Sequence, residues 1–226
     1  MSRRCAIFDL DRTVTCRGTW ARFLLHANRD RPGVLPAALR LLWRAMLWKL
    51  RLATRDDMKE AGLATLTWAT RRRLEALGES FAAREVATGL RPGALRQIEA
   101  HRRDGDTLIL LTAAPEITAL PIARRLGFDH VICTPIEWSE AGHPTGKVAL
   151  PNCYGAVKAA RLDALARDLG GIDLVAAYSD HVSDIGLLRT ARCGVAVNPS
   201  RALRRIAEAE GFEIARMRIS ANPGQP

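Results

Sequence analysis

Two carboxylates and a hydroxyl stand at alternate positions near the start of the chain, in Ala6-Ile7-Phe8-Asp9-Leu10-Asp11-Arg12-Thr13. The apolar run Cys5 to Phe8 before them reads as a short buried strand. Side chains alternate faces along a strand, so Asp9 and Asp11 project to the same side at its carboxyl end. In open α/β sheets that edge is where ligands bind. Two like charges that close repel each other, and a divalent cation or a shared proton is the usual remedy. A lone Asp-x-Asp also suits a solvated turn, so the rest of the chain has to decide.

Three further segments follow in order. Leu108 to Ala114 is an apolar strand ending in the hydroxyl of Thr112, and Asn152-Cys153-Tyr154-Gly155-Ala156-Val157-Lys158 carries a lysine onto a helix start. Leu174 to Tyr178 leads into Ser179-Asp180-His181-Val182-Ser183-Asp184. With this order the sequence resembles the haloacid dehalogenase (HAD) superfamily of aspartyl-phosphate phosphatases, over roughly residues 5 to 210. The long helical insert after Thr15 is similar to that of the phosphoserine-phosphatase-like subfamily.

The resemblance implies a Rossmann-like α/β core with a parallel sheet, an inserted all-helical cap, and phosphate-ester hydrolysis. It implies Asp9 as nucleophile, Asp11 as general acid and then base, and Thr112 and Lys158 as phosphate ligands. Mg²⁺ is expected between Asp9, the Asp11 carbonyl and Asp180, with Asp184 acting from behind and Thr13 holding the loop. Magnesium suits better than zinc because every candidate ligand is a hard oxygen. Alone, Asp180 and Asp184 also suit helix N-terminal acids. Lys147 competes with Lys158 for the phosphate, and Lys158 is preferred because Asn-Cys-Tyr-Gly-x-x-Lys matches the subfamily. His181 has no second His or Cys at ligand spacing and reads as a surface or cleft residue. Arg12 replaces a glycine common in this loop and is expected to point away from the metal.

Elements that alternate strand and helix must position these groups, which predicts a parallel sheet with crossover helices. From Thr19 to about Thr88 the periodicity is helical, with Thr19 as an expected N-cap. The expected division is a core of residues 1–15 and 90–219, a cap of 16–89 and a disordered tail of 220–226. Residues 134–150 read as a hairpin with its tip at Ala141-Gly142-His143-Pro144, and the second strand is expected over Thr107 to Leu111.

The chain has 226 residues, 48% hydrophobic and 26% charged, enough for a full core in one domain with an insert. Its five cysteines are scattered without metal-site spacing and read as reduced, mostly buried thiols of a cytoplasmic protein. Met1-Ser2-Arg3-Arg4 leads straight into the first strand, so no signal peptide is expected. No clean run of about 18 apolar residues predicts a membrane span. The net charge of +10 favours anionic partners: phosphorylated substrates, acidic lipid surfaces or nucleic acid. Nucleic acid is disfavoured, because its footprint needs clustered basic residues interleaved with aromatics.

The cap should set the substrate. The segment Cys16-Arg17-Gly18-Thr19-Trp20 supplies no acid of the kind phosphoserine phosphatases use for the substrate ammonium. Arg40, Arg44, Arg51 and Arg55 fall within about 60° of arc on a helix, and Trp43 and Trp48 stand among leucines. A basic edge with tryptophans is how an interfacial helix meets anionic lipid, and such a cap resembles that of HAD-type phosphatidylglycerophosphate phosphatases. The expected substrate is therefore a lipid phosphate, with peripheral contact to the inner face of the membrane. The alternatives are a phosphatase of a small soluble metabolite (phosphoserine-like), a phosphotransferase, and a non-catalytic basic module binding membrane or nucleic acid.

Overall fold

The computed structural model describes residues 2–30, 43 and 54–217. Arg40, Arg44, Trp48 and Arg51, and the expected tail 220–226, lie outside the described residues. The sheet begins with β1 (Arg3–Phe8), whose last four residues are buried on both faces. That is why its sequence is continuously apolar rather than alternating. β2 (Thr107–Pro115) and β6 (Ile172–Ser179) flank it in parallel, Phe8 standing opposite Leu110 and Tyr178. β3 (His130–Thr134), β7 (Cys193–Val197) and β8 (Glu213–Ala215) complete the six-stranded order β3-β2-β1-β6-β7-β8, every pairing parallel.

β2 runs four residues beyond the expected Leu111. Its pairing with β3 breaks after Leu111 and resumes at Pro115, beyond the end of the apolar run. A two-stranded antiparallel hairpin, β4 (Ile136–Trp138) and β5 (Pro144–Val148), stands apart from the sheet. The Phe8 ring stacks on Tyr178 at 4.4 Å and 4° in the centre of the core.

The helical insertion contains α1 (Thr19–Asn28), α2 (Arg55–Leu63) and α3 (Arg71–Thr88). It leaves and returns at one narrow neck. Thr15 bridges Leu90, Cys16 N–H donates to the Gly89 carbonyl (2.7 Å), and Arg91 N–H donates to the Val14 carbonyl (2.9 Å). A capping box of Thr54 and Asp57 starts α2, and Thr70 caps α3. Thr19 is not the N-cap of α1; Gly18 holds that place. Gly78 lets α3 lie close on α5 (Glu116–Leu126), because a Cβ there would collide with the Ile117 carbonyl.

The remaining crossover helices are α4 (Pro92–Arg103), α6 (Ala156–Asp168), α7 (Ile185–Thr190) and α8 (Arg201–Glu210). The five cysteines are free; only Cys5 and Cys153 are buried, and Cys193 is exposed at the start of β7. The expectation of mostly buried thiols therefore fails, Cys193 lying on a strand next to the sheet edge. No helix among the described residues is long and apolar enough to cross a membrane.

Candidate active site

The carboxyl ends of β1, β2 and β6 lie side by side, so Asp9, Thr112 and Asp180 converge. With Asp11, Lys158, Asp184, Arg12 and His181 they line one cavity of about 420 Å³. Asp9 N–H donates to the Tyr178 carbonyl (3.0 Å), which fixes the carboxylate against the end of β6.

Below the cavity, α6 delivers Lys158 with its stem buried. The ammonium donates to Asp9 Oδ1 (2.8 Å) and Asp184 Oδ2 (2.7 Å). Ser179 Oγ donates to the same Asp184 oxygen (2.8 Å). Burial by itself would lower the Lys158 ammonium, but Asp9 and Asp184 outweigh it and hold it raised. Thr13 donates to Asp9 Oδ2 at 3.4 Å, and Thr112 Oγ accepts from Ala114 N–H (3.1 Å). Lys147, the competitor, is exposed on β5.

After Asp9 the chain makes one wide turn, Leu10–Val14, closed by Thr15 N–H donating to the Leu10 carbonyl (2.9 Å). Arg12 adopts φ 64°, the left-handed region that suits glycine. This corrects the expectation for Arg12: it lines the cavity, and its charge acts on Asp180. Asp11 Oδ1 accepts from Thr19 N–H (2.8 Å), so the first free amide of α1 is satisfied from eight residues upstream.

Burial dominates the acid chemistry. It pushes Asp9 up to about 7 against the pull of Lys158, and Asp180 up to about 6 against Arg12. Asp11 is also raised by burial, with the Thr19 hydrogen bonds opposing. These carboxyls crowd a space that is short of positive charge, which a divalent cation would supply. Among the described residues no group of three or more His, Cys, Asp or Glu side chains is set to hold a metal. The carboxylates that line the cavity suit Mg²⁺, which binds through one or two carboxylates and keeps water and phosphate oxygens. The donors present are hard oxygens, and they fit.

Two residues escaped the sequence reading. Lys59 of α2 is 8% exposed and reaches from the insertion into the core. Its ammonium donates to the Ala113 carbonyl, to Asn152 Oδ1 and to Thr134 Oγ (3.2 Å). Burial lowers it to about 8. Arg91 is 9% exposed and donates to the carbonyls of Arg12 (2.9 Å), Met217 (2.8 Å) and Cys16 (3.4 Å), clamping the turn that carries Asp11. One signal for Lys59 was present. The chain has only four lysines against thirty arginines, so each lysine marks a place that wants a compact three-donor cation.

A six-stranded parallel sheet whose strand ends gather acids, with a helical insertion after the first, is the architecture of a hydrolase of the haloacid dehalogenase type. Residues 6–189 match the haloacid dehalogenase-like hydrolases, and the chain belongs to that family. It is 34% identical over 148 residues to the phosphoserine phosphatase SerB1 of Mycobacterium tuberculosis, the match covering 65% of this chain and 48% of that protein. The chain thus spans about half the length of that relative. A structure of a protein of unknown function from Bordetella pertussis Tohama I is 28% identical with a TM-score of 0.85, over 96% of this chain and 100% of that one. A probable phosphoserine phosphatase from Vibrio cholerae shares the fold at 14% identity, TM-score 0.67, over 96% of this chain and 61% of that one.

Proposed function

We propose that the protein is a Mg²⁺-dependent phosphomonoesterase of a small phosphate ester, working through an aspartyl-phosphate. The observation that carries it is the buried Lys158 ammonium bridging Asp9 and Asp184 under a cavity that Asp11, Thr112 and Asp180 also line. Thr112 and Lys158 bind the phosphate oxygens. An Asp9 carboxylate oxygen attacks phosphorus, the bond to the ester oxygen breaks, and Asp11 gives its proton to the departing alkoxide. Asp11 then takes a proton from water, whose oxygen attacks the same phosphorus; phosphate leaves and Asp9 is restored. The raised Asp11 carboxyl suits a group that must begin protonated. Mg²⁺, held by Asp9, Asp180 and the Asp11 carbonyl, would neutralise charge on the transferring phosphoryl group. Asp184 orients Lys158.

The helical insertion, entered at Thr15 and left at Leu90, serves as the cap over this site. The relative SerB1 favours a small soluble ester over a lipid phosphate. Of the residues expected to meet a membrane, only Trp43 is described, and it is 58% exposed. Turnover of an aryl phosphate by the purified chain should require Mg²⁺ and vanish in Asp9→Asn with the fold kept. Full turnover in excess chelator, or in that variant, overturns the mechanism.

A further inference from the structure

A second cavity of about 280 Å³ adjoins the first and shares Asp11, Ala113 and Tyr154 with it. Its other walls come from both sides of the neck: Trp20 and Met58 from the insertion, Ala114 and Pro115 from the end of β2. Asp11, the proton donor to the leaving oxygen in the reading above, stands where the two cavities meet. A leaving group that takes its proton from Asp11 can extend from the first cavity into this one.

The charges around it are already used. Lys59 lines the cavity, but an ammonium has three donors and Ala113, Thr134 and Asn152 take all three. Thr134 Oγ in turn accepts from Cys153 N–H (3.1 Å), so the Lys59 charge is spent within this network. The other polar groups among the described residues of the lining, Asp11 apart, are neutral: the Asn152 amide, the Tyr154 hydroxyl and the Trp20 indole N–H, which is buried without a partner. Asp11 is the only acid among the described residues of the lining, and Thr19 N–H already holds one of its oxygens. Among the described residues of the lining, a carboxylate on the leaving group would find no uncommitted cation, and an ammonium would find only Asp11, which must carry the proton. The apolar wall is held in place. The Trp20 ring lies 6.1 Å from Phe23 at 18°, and Gly62 leaves room for its edge, since a Cβ there would sit 2.8 Å from Cζ2 and 2.9 Å from Nε1.

We propose that this cavity holds the leaving group, and that the substrate is the phosphate monoester of an uncharged alcohol with an apolar, ring-sized body. The inference rests on the phosphatase reading and names its substrate class. Lys59 is then a latch between insertion and core, and Trp20 and Met58 determine specificity.

The test compares three primary alkyl esters, so that leaving-group chemistry stays nearly constant: 2-phenylethyl phosphate, ethyl phosphate and O-phosphoserine, with the full chain and Mg²⁺. For wild type, kcat/KM for the phenylethyl ester should exceed that for ethyl phosphate by about 10- to 100-fold, from burial of the ring. It should exceed that for phosphoserine by more. In Trp20→Ala the phenylethyl-to-ethyl ratio should fall about tenfold; a ratio within one protein cancels any loss of folded fraction. Should that variant not fold, Met58→Ala carries the same reading with a smaller fall. Phosphoserine turned over as well as the phenylethyl ester, or a ratio near one in wild type, overturns the inference and leaves the phosphatase reading standing. No turnover of any ester, an aryl phosphate included, overturns both.

Discussion

Lys158 under the reaction cavity and Lys59 in the wall beside it are both almost out of solvent, and they respond in opposite directions. Burial opposes the charge of each. At Lys158 two carboxylates within 2.8 Å overcome it, so the ammonium is held more firmly than in water. At Lys59 every acceptor is a neutral oxygen, the acids Asp56 and Asp11 act only at a distance, and the ammonium weakens. The floor of the site is thus an electrostatic device, while the wall is a hydrogen-bonded seam between insertion and core. Floors of the first kind suit phosphoryl chemistry, where charge must be compensated. Seams of the second kind fix shape.

Asp11 belongs to both regions, with its backbone in the core turn and its carboxylate against α1. The largest expected effect that separates floor from wall is therefore Asp11→Asn. Proton donation to a leaving group contributes typically about 10²–10⁴-fold. The loss should fall on alkyl phosphates and nearly spare nitrophenyl phosphate, whose leaving group needs no proton. Equal loss on both, with unchanged Mg²⁺ affinity, would show that Asp11 acts only through the floor.

The lysines themselves come next. Lys158→Met leaves Asp9 and Asp184 buried without a counter-charge, and breaking such a pair costs about 3–5 kcal/mol. Lys59→Met leaves neutral oxygens short of a donor, a cost of about 1–3 kcal/mol. Thr134 Oγ can still donate to Ala113 or Asn152, which limits the loss. Urea midpoints in chelator at pH 7 compare the two. Equal destabilisation would erase the distinction between floor and wall.

The floor was legible in the sequence because its parts are local. Asp9, Asp11 and Asp180 sit just past the ends of the apolar strands β1 and β6, and Thr112 follows the apolar run of β2, although that strand continues to Pro115. The wall was not, because its partners are remote. Lys59 meets Asn152 across 93 positions, and Arg91 meets Met217 across 126. Within its own helix Lys59 is one polar residue among Asp56, Asp57 and Glu60, with nothing local to mark it as buried. Arg91-Pro92-Gly93 was readable only as the boundary of a helix, although the guanidinium holds the turn beneath Asp11. The cap of α1 failed for the same reason: a threonine at the helix start is a good local guess, but the capping carboxylate comes from the core.

The smallest effect bears most directly on the two lysines. Lys59 falls from the ordinary lysine value of 10.5 to about 8 on folding, so between those values the unfolded chain binds more protons than the folded one. Stability then rises with pH across that window. Below about pH 8 both states are protonated and the cost of the buried charge is carried in full; above it the folded protein sheds the proton and the cost is relieved. The slope approaches about 1 kcal/mol per pH unit. Other groups titrate in the same range, so the quantity to measure is the stability of wild type minus that of Lys59→Met, from urea melts between pH 7 and 10. It should be flat up to about 8 and then grow in favour of wild type. Lys158 gives no such rise, because its carboxylates hold it charged throughout. A difference that stays flat to pH 10 would mean that three neutral oxygens hold the Lys59 ammonium as firmly as Asp9 and Asp184 hold that of Lys158, and the contrast between wall and floor would lie in geometry alone.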